Sequence, residues 1–153
     1  MITIEQLTVI VREASRLMVT DGFEIEQKDG CENIVTSSDV AVQNYLCNSL
    51  SALMPDSGFL CEEKDINDSC HEYTWIIDPI DGTANYSRGI DQCAICVGLK
   101  HGEEMLMGVV FLPRTNELFH AERGKGAFLN GKRIHVSDRG FNNAVLCTAL
   151  PVY

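Results

Sequence analysis

Apolar positions recur at helical spacing over the first third of the chain and alternate over the rest. Ile4, Leu7, Val11, Ala14 and Met18 predict an amphipathic helix over residues 3–20. Thr3 and Gln6 form a capping-box pair, and Gly22 stands where a helix stop belongs. Residues 23–27 alternate and predict a short strand. Residues 28–33, with Asp29-Gly30, predict a polar hairpin or loop. A second helix should begin near Ser37–Asp39, bury Val42, Tyr45, Leu46, Ser49, Leu50 and Leu53, and end at Pro55. Beyond it the period falls to two. Strands are expected at 58–61 and 73–77, joined by a polar loop over 64–72. Further strands follow at 93–99, 105–112, 117–122, 127–136 and 144–149. Asn130-Gly131, flanked by apolar runs, is a two-residue hairpin signal. Helices first and a largely antiparallel sheet afterwards define an α+β fold, with two N-terminal helices packed on one sheet. No linker divides residues 1–153, so they read as a single domain.

Composition agrees with an ordinary core. Of 153 residues, 45% are hydrophobic and 22% charged, too apolar for a disordered tail. No apolar run is long enough for a membrane span. The N-terminal residues lack the basic-then-apolar pattern of a secretory signal, which predicts a cytoplasmic protein. Charge is uneven: residues 1–92 carry 17 acidic and 5 basic side chains, and residues 93–153 carry 5 and 7. An acidic half is the wrong footprint for nucleic acid. It suits either a solvated face or carboxylates that hold hard cations.

Seven cysteines, at 31, 47, 61, 70, 93, 96 and 147, are odd in number and follow no signal. Free thiols are expected rather than a disulfide framework. Cys93 and Cys96 form a C-x-x-C, but the run reads as a strand, where residues three apart face opposite sides. A shared metal or local bridge is not expected there. His71, His101, His120 and His135 show no i, i+4 metal pair and read as surface or strand histidines.

Two acidic clusters follow apolar strands: Glu62-Glu63 and Asp78-Pro79-Ile80-Asp81-Gly82-Thr83. Asp-Pro and Asp-Gly alone are routine turn dipeptides. Together the clusters supply several oxygen ligands, as Mg²⁺ requires. In this reading Asp78 lies at a strand end and Asp81 across a tight turn, with the Ile80 carbonyl between them. Gly82 and Thr83 then open a helix whose N–H groups attract phosphate.

The segment Trp75-Ile-Ile-Asp78-Pro-Ile-Asp81-Gly-Thr83-Ala-Asn85-Tyr86 resembles the D-P-[IL]-D-G-T-x-N-[FY] signature of the inositol monophosphatase family. Residues 59–63, Phe-Leu-Cys-Glu-Glu, are similar to that family's G-E-E, with Cys61 in place of glycine. Residues 34–39, Ile-Val-Thr-Ser-Ser-Asp, resemble its L-V-T-x-x-D, and residues 123–131 resemble its hairpin.

The resemblance implies the N-terminal domain of the sugar-phosphatase αβαβα fold. It also implies a Mg²⁺-dependent, lithium-sensitive phosphomonoester hydrolase that uses metal-activated water. Glu62, Asp78 and the Ile80 carbonyl would hold one Mg²⁺, and Asp78 and Asp81 a second. Glu62, with waters ordered by Glu63, would border a third. Gly82 and Thr83 would receive the phosphate. Thr83 paired with Asp39 would aim or deprotonate water, with Glu62 also catalytic, and Lys28 would contact the site from its loop. The partner is a small phosphorylated substrate, inositol monophosphate or a related sugar phosphate, with neither nucleic acid nor membrane, and the full-length form is a homodimer.

Alternatives within the superfamily are 3′-phosphoadenosine 5′-phosphate, fructose 1,6-bisphosphate and NADP. Outside it stands a non-catalytic metal-binding or interaction module. Family members are much longer, and their W-D-x-A-A-G motif has no counterpart here, since Trp75 is the one tryptophan. The chain therefore reads as an N-terminal portion with impaired activity on its own.

Overall fold

A computed structural model describes residues 2–19, 22–27, 34–63, 67–68 and 71–145. Helix α1 spans Ile4–Ala14 and continues as one 3₁₀ turn over Ser15–Leu17. It is shorter than the periodicity predicts, because residues 15–17 tighten and Met18 leaves the helix in an extended conformation. The Thr3–Gln6 capping box forms in both directions.

Strands β1 (Ile25–Gln27) and β2 (Ile34–Thr36) pair antiparallel, Ile25 opposite Thr36. The expected loop over 28–33, with Lys28, lies outside the described residues. So does most of the strand expected at 144–149; Ala144 and Val145, its two described residues, follow a 3₁₀ turn at Phe141–Asn143 and are not in a strand.

Helix α2 spans Ser37–Leu53. Thr36 is its N-cap and Asp39 its third residue, and the two bond reciprocally. Val42, Leu46 and Leu50 are fully buried on its inner face, whereas Leu53 is 41% exposed in the last turn.

One eight-stranded sheet forms the platform. Its strands are β3 (Gly58–Cys61), β4 (Asn67–Asp68), β5 (Tyr73–Asp81), β6 (Ala94–His101), β7 (Glu104–Leu112), β8 (Glu117–Glu122), β9 (Gly126–Leu129) and β10 (Lys132–Ile134). The spatial order is β10-β9-β8-β7-β6-β5-β3-β4. Every pairing is antiparallel except β3 with β5. Asn130 and Gly131 take positive φ in the β9–β10 turn, the conformation the hairpin signal requires.

Both helices lie on one face of the sheet, α1 against β7 and β8 and α2 against β5. Leu7, Val11, Leu46, Trp75, Ile95, Leu99 and Val109 form the core between the layers. Trp75 is fully buried, and its indole N–H donates to Ser57 Oγ at 3.1 Å. The opposite face carries an open, largely apolar groove of about 710 Å³ that includes Ile76, Cys96, Val110, Phe119 and Phe128. The result is a layered α+β architecture.

Cys93 lies just before β6 and is buried with Ile80 and Tyr86, while Cys96 lies within the strand and borders the groove. The C-x-x-C pair is thus divided between two environments, and both thiols are free.

Truncating Leu46 to alanine should cost about 2–5 kcal/mol, the range for emptying a core site. Leu53→Ala should cost well under half of that. Urea denaturation of the two variants beside wild type measures the difference.

Candidate metal and phosphate site

Strand β5 does not stop at Asp78. It runs to Asp81 and carries the whole acidic motif into the sheet. Asp78 stands opposite Cys96, but Asp81 stands opposite Ala94, so β5 holds one extra residue between them. This bulge replaces the tight turn that the sequence suggests. Its cause is Pro79, which has no N–H for the ladder and is tolerated in a strand only at such irregularities. The bulge re-aims the side chains that flank it.

Gly82 then turns the chain in the left-handed region, φ 83°, and serves as N-cap of α3 (Thr83–Tyr86). A Cβ there would lie 2.8 Å from the Gln92 carbonyl, so glycine is required by space as well as by φ.

Burial and charge meet at Asp78. Its Oδ1 is buried without a hydrogen-bond partner. Its carboxyl is pushed up to about 8, first by burial, then by Glu62 beside it and by the charges of Asp81 and Asp39. A cavity of about 220 Å³ is lined by Glu62, Asp78, Ile80, Asp81, Gly82 and Thr83, with Ile34 and Ala84 at its edge. It thus gathers both acidic clusters in one place. Glu62 is exposed beside it. Glu63 is buried and outside the lining, held through its backbone. Its N–H donates to Gln43 Oε1 at 3.0 Å, and Gln43 Nε2 donates to its carbonyl.

The start of α2 lies behind Thr83, outside the cavity lining. Asp39 is 1% exposed and accepts from the Thr36 N–H at 2.8 Å and from the Thr36 hydroxyl. Its other oxygen accepts from Thr83 Oγ1 at 3.1 Å. The Thr83 hydroxyl also faces the Ile80 carbonyl at 2.9 Å, which leaves that carbonyl a second lone pair. Tyr86, buried on α3, donates its hydroxyl proton to the Val19 carbonyl at 2.6 Å, and its oxygen can accept from the Ser38 hydroxyl at 2.8 Å. These bonds fix α3 against the start of α2. Thr36, Ser38, Gln43 and Tyr86 were not among the residues singled out from the sequence. Only the T-x-x-D spacing of 36 and 39 carried a legible signal.

Arg88, Lys125, His101 and His120 lie outside the cavity lining. Arg88 donates to the Ala84 carbonyl at 2.8 Å, and Lys125 pairs with Glu122 at 2.7 Å. His101 contacts Glu72, and His120 stacks on Phe128.

The donor set fits a hard cation. Carboxylates and a backbone carbonyl line the cavity beside a buried oxygen that lacks a donor, and among the described residues no soft ligand lines it. Among the described residues no three His, Cys, Asp or Glu side chains close around an ion by themselves.

The sequence model of the inositol monophosphatase family matches residues 3–152. An inositol-1-monophosphatase of Caulobacter vibrioides is 36% identical over 148 residues, covering 92% of this chain and 58% of that protein. The crystal structure of the extragenic suppressor protein suhB from Bartonella henselae superposes with a TM-score of 0.81 at 32% identity, covering 88% of this chain and 54% of that one. A structure described as IMPase/NADP phosphatase, solved with Mg²⁺ and phosphate, superposes with a TM-score of 0.74 at 28% identity, covering 84% and 49%. The chain belongs to the inositol monophosphatase family. It spans little more than half the length of the curated relatives it matches.

The raised Asp78 carboxyl makes stability depend on pH when no metal is bound. Between the ordinary carboxylate range and about 8, the folded state holds a proton that the unfolded state has released. Stability in EDTA should therefore fall as pH rises from 5 to 8. Asp78→Asn should flatten that slope and be the more stable protein at pH 8. Urea denaturation across this range checks both.

Proposed function

We propose that this chain carries the metal and phosphate half of a Mg²⁺-dependent phosphomonoesterase that acts on inositol monophosphate or a related sugar phosphate. The observation that carries the reading is the buried Asp78 oxygen, without a donor among the described residues, in a cavity shared with Glu62, Asp81 and Thr83, whose hydroxyl is bonded to Asp39. The match to a relative named inositol-1-monophosphatase supports the substrate class. The similarity to a structure solved with Mg²⁺ and phosphate supports the cofactor.

Glu62, Asp78, Asp81 and the Ile80 carbonyl would hold the Mg²⁺ ions, with Glu63 supporting their waters. When bound, Mg²⁺ supplies a Lewis acid that neutralises phosphoryl charge and makes water a stronger acid. The remaining work falls to the chain. N–H groups in the first turn of α3 have no intrahelical acceptors, so Gly82 and Thr83 can receive phosphate oxygens. The Thr83 hydroxyl proton faces Asp39 and the Ile80 carbonyl, which leaves its lone pairs free to take a hydrogen bond from attacking water. Asp39, locked by Thr36, keeps that hydroxyl in one orientation. Exposed Glu62, on the same cavity, would accept a proton from that water. The leaving alkoxide departs on the opposite side of phosphorus and takes a proton from solvent to become the alcohol. Lithium sensitivity, a cytoplasmic location and homodimerisation of the full-length protein belong to the same reading. Among the described residues no helix is long and apolar enough to cross a membrane.

The test measures phosphate release from inositol 1-phosphate, and melting temperature, with and without Mg²⁺. Wild type should show Mg²⁺-dependent release and a Mg²⁺-induced rise in melting temperature. Asp78→Asn should lose both. Thr83→Ala should lower the rate about 100-fold, a typical proton-transfer contribution, and keep the thermal response. Neither release nor thermal response in wild type would refute the proposal.

A further inference from the structure

Two thiols face each other where α2 meets the end of β3. Cys47 Sγ and Cys61 Sγ are 3.7 Å apart. Cys47 is half-buried, Cys61 is buried, and both are reduced. Among the described residues no other pair of thiols is in contact.

The contact is held on several sides. Gln43 lies one helical turn before Cys47, on the same face of α2. It grips the backbone of Glu63 from both directions, two residues beyond Cys61. On its other side the strand end is fastened to β5, with the Glu62 N–H donating to the Ile77 carbonyl at 3.1 Å. The register between helix and strand is therefore set by bonds that do not involve sulfur. A disulfide needs about 2.05 Å between sulfurs, so the two atoms must close by only about 1.7 Å.

The two thiols differ in a way that assigns an order. Cys47 is reachable from solvent, and the Cys61 thiol hydrogen-bonded to it holds it below its ordinary value. Cys61 sits behind it in the core.

We propose that Cys47 and Cys61 form a reversible thiol-modification site that a hydroperoxide converts to a disulfide. The Cys47 thiolate attacks one peroxide oxygen. The O–O bond breaks, hydroxide leaves, and Cys47 becomes a sulfenic acid. Cys61 then attacks the Cys47 sulfur, the S–S bond forms, and the sulfenic oxygen leaves as water. Two thiols lose two electrons, and one hydrogen peroxide becomes two waters. A reducing thiol reverses the change by exchange. The bridge ties the helix that carries Asp39 to the strand that leads into Glu62. The site itself does not depend on the phosphatase reading.

The native chain is treated with hydrogen peroxide, its remaining thiols are alkylated, and it is digested without reduction for mass spectrometry. The peptides containing Cys47 and Cys61 should be the first to join, about 2 Da lighter than the reduced pair, and dithiothreitol should separate them. In urea that preference should disappear. Cys47→Ser should lose the cross-link with an unchanged far-ultraviolet spectrum, and Cys96→Ser should keep it. The proposal fails if both thiols stay open to alkylation under peroxide. It fails equally if 47–61 pairing is no more frequent in the native chain than in urea.

Discussion

A buried carboxylate oxygen without a donor is the constraint around which this structure is arranged. Asp78 sits at a bulge in the middle of the sheet, beside Glu62 and within the field of Asp81 and Asp39. Burying an unpaired charge is costly, and a metal-free protein meets that cost by keeping the group protonated near neutral pH. A divalent cation would relieve it more completely, because one ion offsets several carboxylates at once. In the proposed reading, the group that is costly to the metal-free fold is the one that an ion would use.

What keeps the carboxylates from relaxing apart is the start of α2. Asp39 is consumed by its own cap, so it has a single free oxygen, and that oxygen is given to Thr83. Tyr86 reaches back to Ser38, and Gln43 clasps Glu63. Two stretches of the chain, the strand end at 61–63 and the short helix at 83–86, are tied to one helix, and Thr83 carries the tie on to the bulge at the Ile80 carbonyl. Each tie is a side chain bonded to backbone or to another buried side chain, so the site's geometry is inherited from core packing and not from loop conformation.

Much of this was legible in residue order. Periodicity located both helices and most strands, because one buried face per element imposes a clean period of 3.6 or 2 on the sequence. The two acidic clusters stood out because carboxylates directly after apolar strands are unusual neighbours. Strand β2 did not stand out: three residues that pair with three others carry too little pattern. Nor did the extension of β5 through Pro79, where local propensity favours a turn and the sheet overrides it by forming a bulge. The positioning roles of Gln43 and Tyr86 were hidden for a different reason. Their partners are 20 and 48 residues away, and such contacts exist only once the layers have packed. The sheet's uncovered face follows the same rule, since Ile76, Val110 and Phe128 read from sequence as ordinary strand residues.

The buried Asp78 oxygen is the atom at which cation binding is best read. Anomalous diffraction from crystals of this chain grown with Mn²⁺, a scattering substitute for Mg²⁺, reads it there. A peak is expected within coordination distance of Glu62 and Asp78, and its loss in Asp78→Asn. A wild-type map with Mn²⁺ bound elsewhere and none at Asp78 would overturn the assignment of the metal to this cavity.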